Sequence, residues 1–197
     1  MMAACRGKPG RQRGYNVRER QIHPFTSRMP ANAASACLEV GIPRLRLCRE
    51  AWEAVPKDNW TSVPTIDAAA SKLELLGSKR VFLTTGRQHL APFANLKDVW
   101  FLVRSIDPPN VLPLANCELL LARGPFTVEG ELDLMQSHQI DTLVTKNSGG
   151  SATSSKLAAA RSLGIKVVMV DRPEIPAGPH VTTVEEAVAW CKEVLFT

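Results

Sequence analysis

The sequence predicts an α/β protein built on a mostly parallel, doubly wound, Rossmann-like sheet, preceded by an incomplete second α/β domain. Three observations carry this. From residue 79 onward, short apolar runs alternate with stretches of helical periodicity, the pattern of repeated βα units. Three of those runs end in distinctive turns, Thr85-Gly86-Arg87, Arg123-Gly124-Pro125 and Lys146-Asn147-Ser148-Gly149-Gly150. Residues 21–78 hold too few elements for a complete α/β domain and read as the back half of one. The expected organisation is therefore a basic leader over 1–20, a domain remnant over 21–78 and a Rossmann-like domain over 79–197.

The elements follow in order. Residues 30–40 read as a helix, with Pro30 suited to the first turn, an alanine-rich interior and Gly41 as its stop. Residues 43–48 alternate Leu45 and Leu47 with arginines, as a strand does. Residues 60–63 are a short strand, and 67–76 a helix with Ile66, Ala69, Leu73 and Leu76 at helical spacing and Gly77 beyond it. Strands are expected at 81–85, 99–103, 118–122, 143–145 and 167–170. Helices are expected at 128–138, capped by Thr127, at 152–163, capped by Ser151 or Thr153, and at 185–195. In such sheets ligands sit beyond the strand C-termini, where the strand order reverses. The three turns are inferred to share that edge.

Charge is distributed unevenly. The formal net charge is +5, but residues 1–20 hold Arg6, Lys8, Arg11, Arg13, Arg18 and Arg20 against Glu19 alone, and the remainder balances. The basic character belongs to a polar leader, which composition predicts to be disordered. The body lacks a basic stripe interleaved with aromatics, so no nucleic-acid partner is expected. No apolar run approaches the ~18 residues of a membrane span, and the leader lacks the apolar core of a secretory signal. The expectation is a cytoplasmic protein with no membrane partner. The five cysteines form no C-x-x-C pair, so neither a disulfide framework nor a metal site is expected, and free buried thiols are. The four tryptophans are read as packing residues.

The stretch from Ile140 to Lys156 is the most specific. An apolar strand runs into Lys146-Asn147-Ser148-Gly149-Gly150 and then a helix. Glycine admits positive φ or a close backbone approach. The helix start offers unpaired N–H groups, with Lys146 and Lys156 flanking the turn, the composition of an anion site. A strand–turn–helix junction needs glycine and a cap in any case, so the turn alone leaves a structural role equally open. His89, His138 and His180 show no metal-ligand spacing, and Glu129 and Glu131 are explained by a helix N-terminus.

The wider set of motifs resembles one family. Val81-Phe82-Leu83-Thr84-Thr85-Gly86-Arg87-Gln88, Leu121-Ala122-Arg123-Gly124-Pro125-Phe126-Thr127, the Lys146–Gly150 turn, Val168-Met169-Val170-Asp171-Arg172-Pro173, and His23-Pro24-Phe25 ahead of Ala31-Asn32-Ala33 together resemble precorrin-6A reductase. The resemblance covers residues 22–197. It implies NADPH-dependent reduction of a macrocycle double bond, giving precorrin-6B in cobalamin biosynthesis, with a tetrapyrrole polycarboxylate as substrate. The residues it offers for substrate or cofactor binding are Thr85, Gly86, Arg87, Arg123, Gly124, Lys146, Ser148, Gly149, Gly150, Lys156 and Arg172; no catalytic side chain is singled out. The chain departs from the family at its start, where a strand and a G-G-T-x-E-A turn are expected and Met1-Met2-Ala3-Ala4-Cys5-Arg6-Gly7 stands. Before His23 an apolar strand ending Asp-Ala-Thr is expected, and Asn16-Val17-Arg18-Glu19-Arg20-Gln21-Ile22 stands. On those departures the chain as it stands is expected not to turn over at a useful rate. The alternatives are a non-catalytic anion- or tetrapyrrole-binding fragment and a nucleotide-binding regulatory module.

Overall fold

The computed structural model describes residues 28–174 and 177–196. The leader 1–20 and the His23-Pro24-Phe25 motif lie outside the described residues. In chain order the elements are α1 (Arg28–Glu39), β1 (Arg46–Leu47), β2 (Trp60–Val63), α2 (Ile66–Leu75), β3 (Arg80–Leu83), β4 (Trp100–Ser105), β5 (Cys117–Leu121), α3 (Val128–Ser137), β6 (Thr142–Lys146), α4 (Ser155–Leu163), β7 (Lys166–Val170), β8 (His180–Val181) and α5 (Val184–Phe196).

Two compact units divide these elements. Arg49–Pro173 forms one, and the described residues of Met1–Cys48 and Glu174–Thr197 form the other. The division departs from the boundary expected at residue 78. The reason is strand pairing: β2 runs parallel to β7 from Trp60↔Val167 to Val63↔Val170, so it belongs to the main sheet. The smaller unit contains a two-stranded parallel pair, β1 with β8, in which Arg46 lies opposite His180.

The main sheet has six strands in the order β2-β7-β6-β3-β4-β5, every pair parallel. From β3 the chain steps outward through β4 to β5. It returns through α3 to β6 beside β3, then steps the other way through α4 to β7. The order therefore reverses between β3 and β6, and a crevice opens at such a point beyond the strand C-termini. Parallel strands covered on both faces read as continuous apolar runs, and β6 is buried at all five positions.

Strand side chains alternate between faces. Phe82, Leu102, Leu143, Val167 and Met169 meet Met135 of α3 and Leu157 and Ala160 of α4 in one cluster. Trp52, Trp60 and Trp100 pack against its margin, as packing tryptophans should. Of the thiols, Cys37 is buried, whereas Cys48, Cys117 and Cys191 are half-buried, and all four are unbridged. Cys117 is on the edge strand and Cys191 on the last helix, where one side stays wet.

The helix ends show which local signals suffice. Thr127 caps α3 as expected, its hydroxyl accepting from Gly130 N at 3.1 Å, and Thr65 caps α2 through Ala68 N. Replacing Thr127 by alanine should cost about 1 kcal/mol, because one orphan N–H loses its partner. Urea unfolding would measure it, and a change below a quarter of that would mean the cap is replaced by water. The start of α4 differs from expectation. A 3-10 turn over Ser151–Thr153 leads into it and Ser154 makes no side-chain cap, so neither Ser151 nor Thr153 is the cap. The turn already approximates helical geometry, which leaves no extended residue in position to cap.

Candidate functional site

The C-terminal edge of the main sheet collects the expected turns. Thr84 N donates to Val144 O at 3.0 Å, extending the β3–β6 pairing by one residue. Thr84 and Thr85 therefore continue beside Thr145 and Lys146, with Gly86 next, at the reversal of strand order. Thr85 is buried, and its hydroxyl has no partner among the described residues. Gly86 has φ +87°, yet a Cβ there would meet nothing within 4 Å. The backbone needs glycine at this point, while the space above it is open. Arg87 and Arg123 are exposed, Arg87 reaching back to Pro108 O at 3.3 Å. Gly124 is exposed as well and precedes a cis Gly124–Pro125 bond.

The Lys146–Gly150 turn is held from below by a segment that the sequence did not single out. Trp52 N donates to Asn147 Oδ1 at 2.8 Å, Asn147 Nδ2 donates to Trp52 O at 2.9 Å, and Trp52 Nε1 donates to Gly150 O at 2.9 Å. Arg172 completes the fastening through bonds to the carbonyls of Asn147 (2.7 Å), Arg49 (2.6 Å) and Glu50 (3.0 Å). Arg172 is thus turned onto the chain's own backbone, where its planar fork spans several carbonyls. Gly149, at φ +68°, makes room for the Glu50 carbonyl: an added Cβ would overlap that oxygen and the Arg172 guanidinium. The close approach expected of a ligand is made here by residues 49–50. Ser148 N bonds to Lys146 O at 2.7 Å, which tightens the turn.

The two lysines are both buried, on different faces. Lys146, the last residue of β6, shares the parity of Val144 and so rises away from the α3–α4 face. Burial pushes its amine down to about 8. His89 N bonds to Gly86 O at 3.4 Å, folding the loop after β3 back on itself. Burial, and then the charge of Lys146, hold the His89 imidazole below its ordinary range. Lys156 lies in the first turn of α4. Its Nζ donates to Thr153 O at 2.6 Å and sits 4.7 Å from the Trp52 ring centroid. Burial first, then Arg104, push its amine down to about 7, while Glu131 opposes them.

Glu131 is the residue whose role the sequence concealed. It looked like a carboxylate at a helix start, but it is 1% exposed and meets Arg104 of β4, Nη1 to Oε1, at 2.8 Å. Neither of its oxygens attains hydrogen-bond geometry, so the contact is an ion pair rather than an aligned bond. The Arg104 guanidinium lies over the rings of Phe126 (3.9 Å) and Phe82 (4.8 Å). Arg104 of β4 and Glu131 of α3 form a buried ion pair, and both charges bear on the Lys156 amine of α4. Beside it, the Ser155 hydroxyl is buried with no partner among the described residues. His138 lies elsewhere, stacked on Trp100 at 5.9 Å at the far end of α3. No helix among the described residues is long and apolar enough to cross a membrane.

The family model described as precorrin-6x reductase CbiJ/CobK matches residues 21–192. The chain is similar to precorrin-6A reductase of Rhodococcus erythropolis, 48% identical over 171 residues that cover 85% of this chain and 68% of that one. It is similar to precorrin-6A reductase of Rhodobacter capsulatus at 42%, covering 85% and 67%. Cobalt-precorrin-6A reductase of Priestia megaterium is 33% identical, with 84% and 69% covered. A solved structure of CobK precorrin-6A reductase superposes with a TM-score of 0.83 at 41% identity, covering 88% of this chain and 69% of that one. The chain thus spans about two thirds of the length of these relatives. On a family match over most of its length and relatives this similar, the chain belongs to the CbiJ/CobK precorrin-6A reductase family of cobalamin biosynthesis.

Proposed function

We propose that this chain binds NADPH and a precorrin at the C-terminal edge of the main sheet and serves the reduction of a macrocycle double bond to give precorrin-6B, in the cytoplasm. The observation that carries the reading is the reversal of strand order between β3 and β6, beyond whose C-termini such sheets take their ligands. It brings together the open space over Gly86, the buried Thr85 hydroxyl and the buried Lys146 amine. A nicotinamide dinucleotide needs hydrogen-bond donors for a diphosphate and a small residue over which it can lie. The Thr85 and Ser155 hydroxyls, both buried without partners among the described residues, and the backbone at Gly86 fit that need. When bound, such a cofactor supplies the hydride.

The exposed arginines act on the other ligand. A precorrin is rimmed by carboxylates, and Arg87 and Arg123 stand in solvent on the turns after β3 and β5. Guanidinium forks suit carboxylates. Lys146 and Lys156 are too buried to grasp a solvated carboxylate, and Arg172 is bound to backbone carbonyls. Of the basic residues at the edge, we therefore assign carboxylate recognition to Arg87 and Arg123.

Binding is the first readout. Calorimetric titration of the full chain with NADPH and, anaerobically, with precorrin-6A tests the reading. Arg87→Ala and Arg123→Ala should each weaken precorrin-6A binding about threefold to tenfold, the worth of one solvent-exposed charge-assisted contact. NADPH affinity should stay constant. Unchanged precorrin affinity in both variants would move the carboxylate contacts off this edge, and tighter binding of NADH than of NADPH would refute the cofactor.

A further inference from the structure

Burying a charge is costly unless an opposite charge or a set of acceptors meets it, and a guanidinium cannot escape by giving up its proton. Arg46 of β1 is such a group. It is 7% exposed, and its Nε and Nη1 are sealed from water without a hydrogen-bond partner. Among the described residues no carboxylate pairs with it and no aromatic ring lies against it. We propose that Arg46 is the centre of an oxyanion site in the smaller unit, which takes a carboxylate or phosphate group of a small ligand. The site goes beyond the reading above and does not depend on it.

The local structure fixes the backbone that carries the guanidinium. Bonds from Arg46 N to Pro179 O (3.2 Å) and from Cys48 N to Val181 O (2.9 Å) hold β1 against β8, with His180 opposite Arg46. His180 is exposed, so the strand pair meets water beside the buried cation. Arg44, two residues earlier, is already engaged. Its Nη2 donates to Ala177 O at 3.1 Å, and it lies so close over Gly178 that a Cβ there would meet Nη2 at 2.6 Å. The carboxylates of the unit are turned elsewhere. Glu186 accepts from Thr182 N and Thr183 N, and Glu39, Glu174 and Glu185 are exposed.

Arg46 is also the one cation among the buried groups of the described residues that lack a hydrogen bond. Trp60, Thr85 and Ser155 are neutral, and Glu131 has Arg104 beside it. A planar fork of N–H donors matches the oxygens of a carboxylate or a phosphate, through charge-assisted bonds. With Nε and Nη1 covered, an anion reaches them only as the groups over them shift. What it then relieves is the cost of a buried, unpaired charge, so binding should stabilise the fold.

The test uses the full chain, with Arg46→Met and Arg46→Lys, in chloride buffer at constant ionic strength. Sodium phosphate at about tenfold its half-saturating concentration should raise the thermal midpoint of the wild type by about 3–6 °C. Arg46→Met keeps the stem and removes the charge. It should be no less stable than the wild type in chloride, and should gain less than about a third of that shift, the share that phosphate gives any protein as a stabilising salt. Arg46→Lys keeps the charge without the fork and should bind at least about threefold more weakly. In the wild type the Arg46 Nε–Hε NMR signal should move as the anion is added. Precorrin-6A, NADPH and NADH then separate the sources. A carboxylate source moves the signal with precorrin-6A, a ribose phosphate with NADPH alone of the two cofactors, a diphosphate with both, and a free phosphate with none of the three. A signal that none of the four ligands moves, or stabilisation by each of them that is equal in the wild type and Arg46→Met, would overturn the proposal. So would Arg46→Met melting more than about 3 °C below the wild type in chloride, a loss of roughly 1 kcal/mol that would reveal a partner for the guanidinium within the chain. Binding of NADPH and precorrin-6A by Arg46→Met as by the wild type would leave the reading of the main sheet in place, whichever way the phosphate result falls.

Discussion

Gly149→Val is expected to destabilise the protein by about 3–5 kcal/mol, at the far end of what one substitution does. Two effects combine. At φ +68° a β-branched side chain costs on the order of 1–3 kcal/mol in backbone strain. The new Cβ also overlaps the Glu50 carbonyl oxygen, a backbone atom that cannot swing aside as a side chain can. Relieving the overlap means lifting residues 49–52 off the turn, which loosens the Arg172 bonds and the paired Trp52–Asn147 bonds together. Gly86→Ala is the control. It has a comparable φ of +87° but open space, so only the strain of about 1 kcal/mol should appear. Urea unfolding of both variants gives the comparison. Equal losses would mean that backbone conformation alone demands Gly149, and that segment 49–52 yields freely.

This result separates what the sequence carries from what it hides. The strands β3, β4, β6 and β7 were legible because buried parallel strands are uninterrupted apolar runs, and residues such as Phe82, Leu143 and Val168 have no other plausible setting. Thr127 was legible because a cap is a contact three residues long. The turn glycines were legible as special, but the agent that needs them was not. Glu50 and Trp52 lie about a hundred positions away, and no local pattern links them to residues 147–150. The placement of β2 was hidden for the same reason, since it pairs with β7 across a similar separation. Within the candidate site the basic turns were visible, but their division of labour was not. Exposure separates Arg87 and Arg123 from the buried Lys146 and Lys156, and Arg172 is distinguished only by the carbonyls it meets. Glu131 is the sharpest case. A carboxylate in a first helical turn has an adequate local explanation, so nothing in the sequence prompts a search for Arg104 and Lys156.

Lys156→Met should make the protein more stable near pH 6.5, by about 1–3 kcal/mol, and the advantage should vanish toward pH 10. The sign follows from proton binding. An unfolded lysine titrates near 10.4, whereas burial lowers Lys156 to about 7. Between those values the unfolded chain holds a proton that the folded one has released, so stability rises with pH across that window. Below 7 both states are protonated and the full penalty of a buried ammonium is present. Lys146, lowered to about 8, adds a second contribution of the same sign above pH 8. The wild type should therefore gain up to about 1.4 kcal/mol per pH unit per lysine between pH 7 and 9. His89, with its lowered imidazole, acts below this window, and the raised Cys117 thiol acts only from about pH 9 upward with the opposite sign. Methionine matches the lysine stem and removes the charge, and such replacements of buried ions stabilise by about 1–4 kcal/mol. Against this stand the lost bond to Thr153 O, the lost contact with Trp52, and a Glu131 left with Arg104 alone. Those losses trim the gain without reversing it, because Arg104 still meets Glu131 at 2.8 Å. Urea unfolding of both proteins from pH 6.5 to 9 decides the matter. A variant less stable than the wild type by more than 1 kcal/mol at pH 6.5, or a wild-type curve flat across the range, would mean that Glu131 and the Trp52 ring more than offset the desolvation of the amine, and that the buried ammonium holds the turn together instead of straining it.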